Sequence, residues 1–139
     1  MIGIDTNVLL RWLLYPEQAD IGSSRAEIEL VAKTISAPGE SFFVNAIVVA
    51  ETTWILEQKL KLRRADVCGV VDRLLYSVNV TVGDASAVKE ARNIYEGSNI
   101  GFADCLIGRI NKRAGCSHTL TFDRKAGRQA DFRNIAVKD

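Results

Sequence analysis

The chain has 139 residues, of which 47% are hydrophobic and 25% charged, a composition typical of one globular domain with a substantial core. The most apolar stretch, residues 42–50, contains Asn45 and is followed by Glu51, so it is too short to cross a bilayer, and no basic segment precedes an apolar stretch near the start. We therefore expect one domain over residues 1–139 in a soluble, cytoplasmic protein without a membrane partner.

The net charge of +1 conceals an uneven distribution of charged residues along the chain. Residues 1–58 contain 3 Lys or Arg and 8 Asp or Glu, whereas residues 109–139 contain 8 and 3. The chain has 3 cysteines, an odd number without CxxC spacing, which favours neither a disulfide framework nor a zinc site. We expect reduced, mostly buried thiols.

Hydrophobic patterning predicts short strands that alternate with helices along the chain. The predicted strands cover residues 2–4, 42–44, 79–82, 119–122 and 135–137. The predicted helices cover residues 8–14, 24–35, 46–59, 65–76, 85–96 and 102–114, with a short turn after residue 123. Asn45 and Asp84 occupy N-cap positions. Brief apolar strands separated by helices predict an α/β fold built on a parallel sheet.

Two carboxylates follow predicted strands directly. Asp5 follows the first strand and Asp123 follows the fourth. In open parallel sheets, ligands bind beyond the carboxyl ends of the strands, where the strand order reverses. If the first strand is central and the fourth lies on its other side, Asp5 and Asp123 are near neighbours. The simpler interpretation is that Asp5 caps a helix and Asp123 forms a turn.

Two further acids lie next to apolar residues on predicted helices. Glu51 has Ile47 one turn before it and Trp54 one turn after it, which places a carboxylate in the stripe expected to face the sheet. Asp104 lies in the first turn of its helix. The alternatives are a buried ion pair for Glu51 and an interaction with the helix dipole for Asp104.

The four acids together indicate a metal site. Carboxylates crowded into a cleft repel one another and raise each other's pKa unless a cation holds them. Oxygen ligands without His or Cys favour Mg²⁺ or Mn²⁺ over zinc. The proposed ligands and catalytic residues are Asp5, Glu51, Asp104 and Asp123. Whether one metal or two would act, and which acid has which role, stays open.

Basic residues near the end of the chain form two groups with helical spacing. The first group is Arg109, Lys112 and Arg113, and the second is Arg124, Lys125 and Arg128. Either face could follow the phosphates of a nucleic acid. An ordinary solvated helix face explains the same spacing.

Four segments in this order resemble the PIN-domain ribonucleases, particularly the VapC-like toxins of toxin-antitoxin pairs: IDTNVLLRWL, VVAETTWILE, GFADCLIG and TLTFDRKA. The resemblance implies a three-layer α/β/α domain with a central, mostly parallel five-stranded sheet, and Mg²⁺- or Mn²⁺-dependent cleavage of RNA. The four acids named above match the family's acidic positions. Thr6, Asn7 and Thr121 match polar positions that support them. Many relatives carry a further acid before the Phe of the third segment, where this chain has Gly101.

The first helix is apolar on almost every side over residues 8–15, so it must be covered by its own domain or by a partner. The resemblance implies that nearby helices bind an antitoxin and that such domains dimerise. We therefore expect a homodimer that binds a small antitoxin protein, with Trp12 near the contact.

Two other functions remain open on the sequence alone. In an aspartyl-phosphate phosphatase, Asp5 would be a covalent nucleophile, but such enzymes usually need a second Asp two residues later, where this chain has Asn7. The other alternative is a non-catalytic module that binds RNA or protein. Loss of site acids would be expected of such a module, whereas all four are present here.

Overall fold

The computed structural model describes residues 1–14 and 25–136. The strands are β1 (Ile2–Gly3), β2 (Phe42–Val44), β3 (Val80–Val82), β4 (Thr119–Thr121) and β5 (Phe132–Asn134). The helices are α1 (Thr6–Leu14), α2 (Arg25–Ile35), α3 (Ala46–Gln58), α4 (Arg64–Tyr76), α5 (Ala85–Glu96) and α6 (Phe102–Arg113), with a short 3₁₀ helix at Ala126–Arg128. None of these helices is long and apolar enough to cross a membrane.

Most predicted elements are confirmed to within one or two residues, although residues 24 and 137 lie outside the described part. Asn45 caps α3 as expected, because its side chain accepts a hydrogen bond from the Val48 amide (2.9 Å). Asp84 precedes α5 in a left-handed conformation (φ 51°), and its side chain makes no capping bond. The prediction for the last strand was wrong: β5 is Phe132–Asn134 and not residues 135–137.

The five strands form two parallel sheets in the described part of the chain. β2 pairs with β1 on one side and β3 on the other, and β4 pairs with β5, placing Thr119 opposite Phe132. The α/β class with parallel strands is confirmed. A single five-stranded sheet with a central first strand is not observed, because the two-residue β1 forms its ladder with β2 alone and therefore lies at a sheet edge.

The first helix is covered by its own chain. Leu9, Leu10 and Leu13 are buried, and Trp12 is only 8% exposed. The Arg73 guanidinium lies 4.7 Å from the centre of a Trp12 ring and donates to the Leu13 carbonyl (3.0 Å). Burial within the fold therefore explains the apolar helix over its described residues, and Trp12 is a core residue and not an exposed partner contact.

Close packing brings β5 against α6. A Cβ atom at Gly108 would lie 2.8 Å from the Phe132 ring and 3.1 Å from Cβ of Asp131, so only glycine fits here without a shift of its neighbours. An ion pair also joins α6 to the residue before β5, since Arg109 Nη1 lies 2.9 Å from Asp131 Oδ1. These contacts fix the β4–β5 sheet beside α6, the helix that carries Asp104.

All three cysteines are free thiols. Cys68 and Cys105 are buried, as expected, whereas Cys116 is exposed just after α6. Burial raises the pKa of the Cys105 thiol to about 11. Gly115 ends the α6 segment with φ +103°, a conformation that favours glycine and turns the chain towards β4.

Candidate active site

Asp5 lies between β1 and α1 and caps the helix. Its Oδ1 accepts a hydrogen bond from the Val8 amide (3.0 Å), and its carbonyl accepts one from the Leu9 amide (3.0 Å). The capping interpretation is therefore correct. It occupies one carboxylate oxygen, and within residues 1–14 and 25–136 no donor binds the other, so Asp5 can cap α1 and still act as a ligand.

Glu51 is joined to the α1 segment by a side-chain hydrogen bond. The Thr6 hydroxyl donates to Glu51 Oε1 at 2.9 Å. The expectation that Glu51 lies in the buried stripe of its helix was wrong: Glu51 is exposed, as are Ile47 (71%) and Trp54 (50%). The buried face of α3 is instead formed by Val48, Val49, Thr52, Thr53 and Leu56.

Asp123 follows β4 and organises the turn after it. Its Oδ1 accepts from the Ala126 amide (2.9 Å), and its own amide donates to Thr121 Oγ1 (3.0 Å). Asn134 of the neighbouring strand donates to the Asp123 carbonyl (3.3 Å). Like Asp5, Asp123 uses one carboxylate oxygen to hold the backbone three residues later.

Asp104 is a half-buried acid in the first turn of α6. Burial raises the pKa of its carboxyl, and the negative charge of Asp123 raises it further. No Lys, Arg or His forms an ion pair with Asp104 in the described part of the structure. The charges of Asp104 and Asp123 therefore act on each other, and no ion pair offsets the charge of Asp104 in the described part of the structure.

The four acids thus form two groups. Thr6 connects Glu51 to the segment of Asp5, while Asp104 and Asp123 interact through their charges. Among the residues described, no three His, Cys, Asp or Glu side chains lie close enough together to hold a metal ion. The donor chemistry nevertheless fits Mg²⁺ or Mn²⁺, because Mg²⁺ is commonly bound through one or two carboxylates, with water and substrate phosphates completing its shell.

The polar residues expected to support the acids differ in their contacts. Thr6 and Thr121 make the hydrogen bonds to Glu51 and Asp123 described above. Asn7 is exposed, and it is its backbone carbonyl that accepts a bond, from Arg11 Nη1 (2.8 Å). A supporting role for Asn7 stays a prediction.

The first basic group is engaged in ion pairs within the chain. Arg109 Nε lies 3.0 Å from Glu90 Oε1, and Arg113 Nη2 lies 2.6 Å from Glu90 Oε2. Arg113 and, to a smaller extent, Arg109 hold the pKa of the Glu90 carboxyl below its ordinary value. Lys112 donates to the Ser117 carbonyl (3.3 Å). These contacts join α5 to α6 and occupy the cations expected to meet phosphates.

The second basic group remains exposed. Its members are Arg124, Lys125 and Arg128. None of the three has an ion-pair partner among the described side chains. Arg124 and Lys125 directly follow Asp123, so their charge lies beside that acid.

Sequence reasoning missed Glu57 in the last turns of α3. A Cβ atom at Gly101 would lie 3.8 Å from Glu57 Oε2 and 3.7 Å from Asp104 Oδ2, so both carboxylates border the same space. Burial raises the pKa of the Glu57 carboxyl. No spacing or motif distinguishes Glu57 in the sequence, because its proximity to Asp104 depends on how α3 packs against α6.

Comparisons with known proteins agree with this architecture. The PIN domain model matches residues 2–132. A protein named VapC ribonuclease from Aquifex aeolicus (strain VF5) is 30% identical over 122 residues, which cover 88% of this chain and 87% of that protein. No solved structure matched the chain. Because the family model spans nearly the whole sequence, the chain belongs to the PIN-domain family.

Proposed function

We propose that the chain, acting as a single domain, is a metal-dependent endoribonuclease of the toxin-antitoxin type that hydrolyses phosphodiester bonds in RNA. The observation that carries this proposal is the partly buried Asp104, whose charge is opposed by Asp123 and has no cationic partner among the described residues. Such a pair favours a bound cation. The similarity to a protein named VapC ribonuclease supports RNA as the substrate.

The four acids have distinct tasks in this proposal. Asp104 and Asp123 would hold Mg²⁺ or Mn²⁺, with water and the RNA phosphate completing its shell, and the free oxygen of Asp5 would bind a water molecule of that shell. The metal would make water a better nucleophile and offset negative charge on the phosphate. Glu51, oriented by the Thr6 hydroxyl, would accept a hydrogen bond from the attacking water.

Substrate binding is assigned to the second basic group. An acidic site repels RNA unless positive charge lies nearby, and the nearest exposed cations in sequence are Arg124 and Lys125, with Arg128 one turn further. The ion pairs of Arg109 and Arg113 with Glu90 argue against the first group as the path of the RNA.

The partner surface is assigned to an exposed apolar face of α3 and α6, which we call the α3–α6 face. It is formed by Ile47 (71% exposed), Trp54 (50%) and Ile107 (48%). A depression of about 390 Å³ beside it is lined by Ala50, Glu51, Trp54, Ile55, Lys59 and Ala103. Three large apolar side chains exposed on neighbouring helices are typical of a protein contact. A second copy of the chain would cover this face, and a small cytoplasmic antitoxin would bind the dimer and inhibit cleavage.

The direct test is incubation of purified, antitoxin-free protein with a panel of cellular RNAs in Mg²⁺, Mn²⁺ or EDTA, with Asp104→Asn as the control. The proposal expects cleavage by the wild type in either metal and none in EDTA or by the variant. Cleavage in EDTA would refute metal dependence. RNA binding without cleavage would favour a non-catalytic module, and hydrolysis of small phosphomonoesters with intact RNA would favour the phosphatase.

A further inference from the structure

An arginine at the start of α4 ties together the segment that leads into α6. Arg64 Nη1 donates to the Tyr95 carbonyl (3.0 Å) and to the Ile100 carbonyl (2.8 Å). Its guanidinium carbon also lies 4.0 Å from the centre of the Tyr95 ring. A single side chain therefore fixes the last turn of α5 and the residue just before Gly101.

Glu57 of α3 lies beside the same segment, next to Gly101. Glu57 Oε2 lies 3.8 Å from the position that a Cβ atom would occupy at Gly101. Burial raises the pKa of this carboxyl, whereas the Phe102 amide, the Tyr95 hydroxyl and the Arg64 guanidinium act in the opposite direction. Gly101 has no side chain with which to cap α6, so the Glu57 carboxylate beside it places negative charge near the amides at the start of that helix.

The residues around these two side chains are rigidly packed. Tyr95 is 2% exposed, Ile100 4% and Phe102 0%. The Tyr95 and Phe102 rings meet edge to face, with their centres 5.5 Å apart. Displacement of this segment would therefore disturb the core, and Asp104 lies only two residues beyond Phe102.

We propose that Arg64 and Glu57 are positioning residues that fix the start of α6 and thereby hold the Asp104 carboxylate in place at the site. This proposal rests on the proposed function, since it assigns Asp104 to the metal. Neither residue needs to touch metal or RNA. Their effect reaches the site through the backbone between Ile100 and Asp104.

Arg64→Lys is the first test, because lysine keeps the charge but cannot reproduce the planar guanidinium that binds two carbonyls and stacks on Tyr95. The matched control is Arg63→Lys, since Arg63 is the preceding residue, is 83% exposed and pairs only with nearby Asp66 in the described structure. We expect Arg64→Lys to speed amide hydrogen exchange over residues 98–105, and to weaken Mn²⁺ binding measured by calorimetry by about 10- to 100-fold, the usual effect of removing a side chain that orients a ligand.

Glu57 is tested by comparing Glu57→Ala with Glu57→Gln. Glutamine keeps the size of the side chain and an oxygen that accepts hydrogen bonds at the start of α6, so a positioning role predicts that Mn²⁺ affinity falls in Glu57→Ala and returns to near the wild-type value in Glu57→Gln. Failure of glutamine to restore binding would instead make Glu57 a metal ligand and overturn its positioning role.

The outcomes separate this proposal from the proposed function. Unchanged Mn²⁺ affinity in Arg64→Lys, with only a lower melting temperature, would make Arg64 merely structural and overturn its assignment. A wild-type protein that cleaves no RNA would refute the proposed function, whereas hydrogen exchange and Mn²⁺ binding would still decide whether Arg64 positions Asp104.

Discussion

The Thr6 hydroxyl donates a hydrogen bond of 2.9 Å to Glu51 Oε1, joining the residue after Asp5 to the middle of α3. The two residues are 45 positions apart in the chain, so the bond fixes the arrangement of two elements as well as the orientation of one carboxylate. Glu51 is exposed, and without this bond its side chain would have several rotamers open to it.

Replacing Thr6 with valine removes the hydroxyl and keeps the branched shape. We expect the cleavage rate at saturating RNA to fall by about 10-fold, because Glu51 loses its orienting donor. The melting temperature should change little, since the bond lies at the surface. Thr81→Val, on the exposed side of β3, is the matched control for cleavage rate and for thermal melting. Equal rates in the two variants would show that the bond has no part in cleavage.

Neutralising one site acid should uncouple activity from stability. Asp104→Asn removes the charge that burial and Asp123 oppose, so the melting temperature in EDTA should be unchanged or raised. Cleavage and Mn²⁺ affinity should fall by more than about 100-fold, because losing a ligand exceeds the effect of losing a residue that orients one. Glu51→Gln should also lose activity without loss of stability. A clear drop in the melting temperature of either variant would indicate a structural ion pair instead.

The two basic groups predict opposite results when each is changed to glutamine. The variant lacking the charges of Arg124, Lys125 and Arg128 should bind single-stranded RNA more weakly in EDTA, with a salt slope flatter by about 0.7 for each lost contact. The variant lacking the charges of Arg109, Lys112 and Arg113 should keep that slope but unfold at a lower temperature, because Asp131 and Glu90 lose their partners. A normal slope in the first variant would remove the second basic group from the RNA path.

The Glu90 ion pairs predict a specific dependence of stability on pH. Arg113 and Arg109 lower the pKa of Glu90 below its ordinary value of 4.5, so the folded state binds its proton less readily than the unfolded state does. The resulting stabilisation is complete above pH 4.5 and is lost as the pH falls through the lower folded-state pKa. Glu90→Gln should therefore melt below the wild type at pH 7, and the difference should shrink below pH 4.5. A difference that is the same at both pH values would contradict this linkage.

The α3–α6 face predicts the effect of charge on oligomeric state. Trp54→Arg should convert a dimer to a monomer in light scattering, because a buried apolar contact does not tolerate an unpaired charge. Tyr76→Arg is the control, since Tyr76 is 71% exposed but lies on α4. Trp12→Ala, by contrast, should destabilise the fold by about 3 to 5 kcal/mol as a core truncation. A wild-type monomer at working concentration would refute the dimer.

The sequence determines the local elements well because helices and strands are set by short-range periodicity. It failed for β5, where Ile135 and Ala136 carry the stronger apolar pattern but the ladder to β4 and the contacts of Asp131 place the strand earlier. The division into two sheets could not be read from the sequence either, because it depends on which strand edges meet in space.

For the site, Asp5 and Asp123 were identified because they follow strands, and Asp104 because it lies in the first turn of a helix. These positions did not reveal which acids interact with one another. Glu51 was selected for a reason that the structure contradicts, since the apolar neighbours that marked it are themselves exposed. Likewise, helical spacing alone could not distinguish Arg109, which forms ion pairs, from Arg124, which has none among the described residues. Both distinctions depend on contacts between elements distant in sequence.

The unequal environments of the three thiols make the protein suitable for site-selective labelling. Cys116 is exposed between α6 and β4, whereas Cys68 and Cys105 are buried and burial raises the pKa of both, to about 11 for Cys105. Since the thiolate is the form that reacts, a maleimide dye at neutral pH should attach at Cys116 alone. Energy transfer from Trp12 in α1 and Trp54 in α3 to that dye would then report how far these two helices lie from the turn between α6 and β4, and therefore how far the acids near α1 and α3 lie from those of α6 and β4.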